Sequence, residues 1–417
     1  MNNWKFDKLS KLCTRIGDGL HGTPEYSELS DIYFINGNNL KNGKIEINEN
    51  TKKVTYKELS KNFIDLNNNS LLLSINGTLG SMAFFNNEKV MLGKSAAYLN
   101  FKTSINKFYY YYFQLPSIQE HFHNVATGST IKNLSLKSIQ DFEVPIPDEN
   151  IWKNISTLLS SLDAKIELNN KINTELEAMA KTLYDYWFVQ FDFPDANGNP
   201  YKTSGGKMFW NEDLKREIPE GWEVKELDQI LNTDLGGTPS TKIAKFWEGN
   251  IPWLNSGEIA NFPIVESEAH VTHEAISNSA TTLMPAGTCV LSITRHLRPS
   301  ILAIDACANQ SVVGIFESKK FKSSFIYPYL KNEIPRLMTL RSGAQQPHIN
   351  KGTLDESLII EPSQLILDEY YKKAHPIYKK IINNSFQNKE LASLRDWLLP
   401  MLMNGQVTVS EIQKEMV

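Results

Sequence analysis

The sequence predicts a mixed α/β (α+β) protein with a pseudo-twofold internal duplication. Two globular domains are separated by two long antiparallel helices that form a coiled coil. Three observations predict this. Short sequence pairs recur in one order at a spacing of roughly 215 residues, far too long a period for a solenoid. Trp4-Lys5-Phe6-Asp7-Lys8-Leu9 returns as Trp222-Glu223-Val224-Lys225-Glu226-Leu227, and Gly22-Thr23-Pro24 as Gly237-Thr238-Pro239. Leu73-Ser74-Ile75 returns as Leu291-Ser292-Ile293, and Thr127-Gly128-Ser129 as Ser342-Gly343-Ala344. Second, helical apolar periodicity appears twice, once after each repeat. Third, each repeat is otherwise written in short apolar runs separated by turn dipeptides.

The first domain, residues 1–149, has apolar runs at Ser70–Ile75 and Met82–Phe85, and a strand-like Val90–Phe101 with Gly93 inside it. Asn36-Gly37, Asn42-Gly43 and Asn76-Gly77 mark turns. Phe108–Phe113, FYYYYF, reads as a packed helix or strand in preference to a platform for stacking bases. A helix follows over 150–191. Ile155, Leu158, Leu162, Ile172, Leu176, Met179 and Leu183 alternate at spacings of three and four, and the register places Lys165 and Asn169 in the intervening core positions. A polar residue at a core position fixes the register of a coiled coil at a cost in stability.

Residues 192–221 form a connector rich in Pro, Gly and Asn, expected to be ordered because Tyr201, Met208, Phe209 and Trp210 call for burial. The second domain is 222–362. Its helix and tail, 363–417, line up Ile377, Ile381, Leu391, Leu394 and Leu398, interrupted by Asn384 and Asn388. Pro376 is expected to kink or restart that helix, and Pro400 to disrupt its last turn.

Bulk properties narrow the class. A chain of 417 residues supports two to three domains with their own cores. No stretch approaches the ~20 apolar residues of a membrane span, and three scattered cysteines, Cys13, Cys289 and Cys307, suit a reducing compartment, so a cytoplasmic location is expected. Charge does not announce a nucleic-acid binder: residues 1–150 carry 16 basic and 15 acidic side chains, and residues 222–362 carry 12 and 15. Local patches such as Arg295-His296-Leu297-Arg298 stand against that balance.

Catalytic constellations are missing from the sequence. There is no glycine-rich phosphate loop, and Asn199-Pro200-Tyr201 lacks the second proline of an adenine methyltransferase loop. His270 and His273 have only Cys289 as a nearby third ligand, too little for a zinc site. Pro194-Asp195 with Glu223-Val224-Lys225 fits a permissive metal-nuclease pattern, but it brackets the connector and is read as coincidence. No catalytic and no metal-binding residue is expected, and the chain reads as a binding subunit.

Motifs in and around the connector identify the class. Leu183-Tyr184-Asp185-Tyr186-Trp187-Phe188 runs into Gly198-Asn199-Pro200-Tyr201 and Ser204-Gly205-Gly206-Lys207-Met208, and Ile218-Pro219-Glu220-Gly221-Trp222 opens the second domain. Gly236-Gly237-Thr238-Pro239-Ser240-Thr241 precedes Trp247-Glu248-Gly249-Asn250-Ile251-Pro252-Trp253, and Ser342–Asn350 closes the set. In this order they resemble the specificity subunit of a type I restriction–modification system, over essentially the whole chain. The first domain departs from the pattern: Tyr33-Phe34-Ile35-Asn36-Gly37 stands where the Trp-x-Gly-x-Ile-Pro-Trp stretch would be.

The resemblance implies that 1–149 and 222–362 are target-recognition domains. Each would bind one half of a bipartite, asymmetric sequence in double-stranded DNA. The helices would set the unread spacer and dock two methyltransferase subunits, with two restriction motor–nuclease subunits joining the complex. S-adenosylmethionine, ATP and Mg would belong to those partners, with no cofactor in this chain. A methylation-only or phage-defence complex, or a protein-interaction scaffold, are the competing readings.

Base reading needs forked donors and acceptors on loops. That chemistry selects Arg295, His296 and Arg298, with Asn76 and Thr78 in the matching loop of the first domain. Gln345, Gln346, His348 and Lys351 form a second loop, matched by Thr130, Lys132 and Asn133. Thr238, Ser240 and Lys242 are candidate phosphate ligands.

Overall fold

The protein's computed structural model describes residues 4–343, 345 and 347–411. They fall into two compact units, one made of the residues up to 164 with those from 391 onward, the other of residues 165–390. The two long helices, Glu149–Tyr184 and Gln364–Met403, each contribute a segment to both units.

The first unit is built on a four-stranded antiparallel sheet in the order Cys13–Asp18, Ala96–Phe101, Ser70–Ser74, Met82–Phe84. Beside it is a three-stranded sheet, Lys53–Val54, Ile32–Ile35, Val90–Leu92, whose centre runs antiparallel to the first strand and parallel to the last. Lys5–Lys8 pairs with Glu143–Ile146 to bring the start and end of the domain together. Ser70–Ser74 is buried throughout because both faces of its sheet are covered. Leu71 and Leu73 enter one cluster and Leu72 another, as the two-residue period of a strand requires.

The expected single strand over Val90–Phe101 is two strands in different sheets, with Gly93 at the change. A Cβ there would lie 2.3 Å from Asn36 Oδ1, so any larger residue would have to displace that side chain. FYYYYF lies in the helix Asn106–Phe113, where all its rings but Tyr112 are buried. Tyr109 Oη donates to Pro145 O at 2.8 Å and Tyr111 Oη to Asp163 Oδ2 at 2.6 Å. The aromatic cluster is core.

The second unit repeats this wiring strand for strand. Its large sheet is Thr233–Leu235, Val312–Ile315, Cys289–Ser292, Arg298–Ile301. Its small sheet is Ala269–Val271, Ile251–Leu254, Cys307–Ala308, again with one antiparallel and one parallel pairing. Glu223–Glu226 pairs with Leu358–Glu361. Tyr33-Phe34-Ile35 therefore takes the place of Pro252-Trp253-Leu254, as the sequence suggested.

Within the second unit the two helix segments run antiparallel. Asn169, almost fully buried, donates to Gln387 Oε1 (2.8 Å) and Asn388 Oδ1 (2.9 Å), and Asn384 donates to Asn173 Oδ1 at 2.9 Å. In the first unit Arg395 Nη1 meets Asp163 Oδ1 at 2.7 Å. The polar interruptions thus form a matched layer, in which each buried amide has a partner.

Two expected core positions fail. Lys165 and Met179 are exposed, while Ala180 is buried in the position next to Met179. Gln364–Met403 is one unbroken helix despite Pro376 and Pro400. Ala374, Tyr378 and Ile381 are buried along its inner face, and this packing outweighs the hydrogen bond that Pro376 cannot make.

The connector is ordered, with a hairpin of Met208–Asn211 and Arg216–Pro219. Tyr201 stacks on Phe193, and Phe193 on Trp222. Phe209 and Trp210 are about half exposed, 46% and 58%, against the expectation of burial. Both sit in a two-stranded ribbon, which has too few neighbours to cover both faces. Among the described residues no helix is long and apolar enough to cross a membrane.

Candidate nucleic-acid interface

Strand register brings the candidate loops together. In the first domain Asp18 pairs with Ala97, Ser74 with Ala96, and Leu73 with Met82. Two strands therefore end, and two begin, at the same end of the large sheet. The segment after Asp18, the hairpin loop 75–80 and the turn at Lys94-Ser95 all leave from that end. Residues 127–133 close over it, because Asn76 and Thr127 both bridge Asn133 and Leu134 N donates to Ile75 O at 2.9 Å.

The second domain is built the same way. Leu235 pairs with Val313, and Ser292 with both Val312 and Arg298. Thr294 and Ser342 both bridge His348, and Ile349 N donates to Ile293 O at 3.1 Å. Asn133 and His348 are thus structural counterparts, as are Thr127 and Ser342. Gly128 and Gly343 turn the chain at positive φ, +106° and +96°, in both copies.

One sequence pairing is corrected. The strand registers place Gly19 opposite Gly236 and His21 opposite Thr238, so Gly22-Thr23-Pro24 is two residues out of step with Gly237-Thr238-Pro239. The true equivalents are glycines for one reason. A Cβ on Gly19 would lie 2.1 Å from Leu92 O, and one on Gly236 2.3 Å from Asn309 O. The three-letter match was too short to fix a register that hydrogen bonding decides.

The candidates gather as follows. Arg295, His296 and Arg298 are exposed at the hairpin between Cys289–Ser292 and Arg298–Ile301. Gln345 and His348, both exposed, belong to the loop that bridges it; Gln346 lies outside the described residues. Thr238, Ser240 and Lys242 are exposed on the segment leaving the first strand of the same sheet. Thr238 Oγ1 is already engaged with Gln310 Oε1 at 2.5 Å, and Ser240 O accepts from Trp247 Nε1 at 3.3 Å.

Lys351 is set apart. It starts the short helix Lys351–Asp355 and pairs with Asp355 Oδ2 at 2.6 Å, a carboxylate that also accepts from Thr233 Oγ1. In the first domain Thr78, Thr130, Lys132 and Asn133 are exposed and Asn76 is half-buried. Thr78 Oγ1 lies 3.0 Å from Ser74 Oγ, which ties the hairpin to its strand.

Three residues at these ends were not singled out by sequence reasoning. His21, whose Nε2 is 2.7 Å from Asp18 Oδ2, is the counterpart of Thr238 and would have emerged from the correct register. Gln310 follows from its bond to Thr238. Arg341 had no signal at all: its Nη1 reaches Arg295 O at 2.7 Å, across 46 residues of sequence.

The hairpin of the second domain has an unusual backbone. Arg295 adopts φ +53°, where its first-domain counterpart is Gly77 at +75°. A left-handed arginine costs on the order of 1–2 kcal/mol that glycine avoids. Its N–H donates to Pro347 O at 2.8 Å and its carbonyl accepts from Arg341, so the conformation is held from both sides.

Chemically the ends offer guanidinium, imidazole, amide and hydroxyl groups on exposed loops, which are contact groups for base edges and phosphates. Among the described residues no set of three or more His, Cys, Asp or Glu is placed to hold a metal ion. Burial pushes the Cys13 thiol up to about 12 and that of Cys307 to about 11, and holds Cys289 well above the ordinary range, so none supplies a thiolate. Asp195, of the nuclease-like pattern, accepts from Asn197 N and Asn199 N and serves the connector turn.

Comparison with known proteins gives a consistent result. A family model described as the type I restriction modification DNA specificity domain matches residues 1–178 and again 219–386. The type I restriction enzyme MjaIX specificity subunit of Methanocaldococcus jannaschii is 27% identical over 313 residues, 74% of this chain and 70% of the relative. The HindI specificity subunit of Haemophilus influenzae is 26% identical over 343 residues, 69% of this chain and 74% of the relative. A crystal structure of a type I restriction–modification S subunit from M. genitalium shares the fold, with a TM-score of 0.57 and 16% identity over 96% of both chains.

Proposed function

This chain belongs to the type I restriction–modification DNA specificity family, and from that membership we propose that each of its two domains reads one half of a bipartite DNA target through the loops at one end of its large sheet. The observation that carries this reading is the pair of identically wired sheets. In both, the same three loops and one bridging segment meet at the same end, while the side chains presented there differ. Two copies of one frame with different contact groups are what an asymmetric two-part sequence requires. The chain itself is a non-catalytic specificity subunit.

The paired helices, with their matched Asn169–Gln387–Asn388 layer, would fix the length of the unread spacer and offer the docking surface for two methyltransferase subunits. Two motor–nuclease subunits would complete a restricting complex in the cytoplasm. S-adenosylmethionine, ATP and Mg would be held by those partners. The near balance of charge in both domains fits a complex in which the partner supplies much of the phosphate clamp.

Selection from a randomised duplex pool by the full chain with its methyltransferase tests the proposal. The expected product is a motif of two short blocks separated by a fixed unread gap. An enrichment confined to one block, or none, would refute it; no enrichment with a stable protein complex would support a scaffold instead.

A further inference from the structure

The strained hairpin of the second domain raises a question of what keeps it in place. Arg295 occupies the left-handed region at φ +53°, and the residue one would expect there is the glycine that the first domain has, Gly77. An arginine retained at such a position must be over-determined by its surroundings. The surroundings supply two bonds to its peptide groups. Arg295 N donates to Pro347 O, and Arg341 Nη1 donates to Arg295 O at 2.7 Å. Arg341 Nε donates in addition to Met338 O at 3.1 Å, in the last turn of the helix Ser323–Thr339. One planar guanidinium thus ties the hairpin to a helix end, with two of its fixed donors spent on backbone carbonyls.

The first domain does without this device. Its counterpart of Arg341, by the Thr127–Ser342 equivalence, is buried Ala126, and Gly77 needs no brace. Where the turn residue is free to adopt the left-handed conformation there is no guanidinium brace, and where it is an arginine there is one. We propose that Arg341 is a positioning residue for base reading in the second half-site: it holds the Arg295 turn so that Arg295, His296 and Arg298 are presented in one fixed arrangement. The inference rests on the reading that these loops contact DNA, and it adds a residue that acts through the hairpin and not on the DNA.

The test uses the full chain with its methyltransferase, the duplex selected by the native protein, and an unrelated duplex of equal length. Arg341→Ala should weaken binding to the selected duplex about tenfold, leave the unrelated duplex within about twofold, and leave the salt dependence unchanged. In an Arg295→Gly background, where the turn no longer needs holding, the same Arg341→Ala change should have little further effect, within about twofold. Arg341→Lys, which cannot span both carbonyls with a fixed fork, should behave like Arg341→Ala.

Equal losses on both duplexes with a shallower salt slope would make Arg341 a phosphate contact and overturn the proposal. A full tenfold loss in the Arg295→Gly background would overturn it as well. Thermal melting of each variant separates these results from unfolding; if Arg341→Ala unfolds the domain, Arg341→Lys carries the same comparison. A native chain that selects no motif would defeat the underlying DNA reading, whereas a native motif with additive variants would defeat this inference alone.

Discussion

The two domains differ where their hairpins turn. Residues 75–80 in the first read Ile-Asn-Gly-Thr-Leu-Gly, and residues 293–297 in the second, one residue shorter, read Ile-Thr-Arg-His-Leu. Around those loops the sheets have the same strand order, the same mixed small sheet and the same bridges to a distant segment. The lesson is a division of labour: backbone hydrogen bonding keeps the frame common, and loops that no strand constrains are free to differ. The second domain invests a strained arginine and a brace at the turn, while the first relies on glycine and small amides.

The sharpest way to break the comparison is exchange. Replacing residues 1–149 by another recognition domain should change one half-site completely and leave the other intact, read by sequencing methylated sites in a host carrying the complex. A change in both halves would end the modular view.

Next is the shared frame. Gly19→Ala and Gly236→Ala each drive a Cβ into a backbone carbonyl, and each should destabilise its own domain by about 3 kcal/mol, seen as a drop in denaturation midpoint. A large effect at only one of them would show that the frames are not equivalent.

The hairpins should respond unequally to truncation. Arg295→Ala is expected to cost about 1–3 kcal/mol on the cognate site and far less on unrelated DNA, measured as competition binding. Asn76→Ala should cost less, at the low end of that range, because one half-buried amide replaces an exposed cluster of three donors. Equal losses of Arg295→Ala on both duplexes would reduce Arg295 to a phosphate contact.

Smaller still are the backbone effects, which should have opposite signs. Arg295→Gly relieves the left-handed turn and should change stability by less than about 1 kcal/mol, in the stabilising direction, while Gly77→Ala should cost about 1 kcal/mol. Denaturant midpoints decide this. If Arg295→Gly destabilises, the turn is not strained.

Last come the edge ribbons. The Lys225 and Lys320 ammonium groups beside Glu361 hold its carboxyl below the usual range. Because the folded value is depressed, that stabilisation is complete above the ordinary glutamate range and is lost as pH falls through the lowered value. Lys8–Asp141 in the first domain is an exposed pair and should matter little. Glu361→Gln should remove a few tenths of a kcal/mol above pH 5 and flatten the acid limb of stability; an unchanged limb would show the pair to be inert.

Sequence legibility followed the length scale of the interaction. The duplication, the long helices and the Asn-interrupted seam could be read because they repeat or recur over many residues. The pairings of Leu73–Ile75 with Leu291–Ile293 and of Thr127 with Ser342 held in the strand registers. Gly22-Thr23-Pro24 did not, since three residues cannot outweigh a sheet register. Lys165 and Met179 were assigned to the core by spacing alone, and spacing cannot tell which of two adjacent helix positions meets the neighbour.

By itself the sequence determined that the chain is two similar mixed domains with two long helices, that it holds no recognisable catalytic set, and which loops carry forked polar groups. These properties are local patterns or repeats, and they survive without knowing any distance. Only the tertiary structure decided that those loops leave one end of one sheet, that Lys351 is tied to Asp355, and that Arg341 holds the carbonyl of Arg295. Such contacts join residues tens to hundreds of positions apart, and hydrogen-bond geometry, which fixes them, is not written in the spacing of residue types.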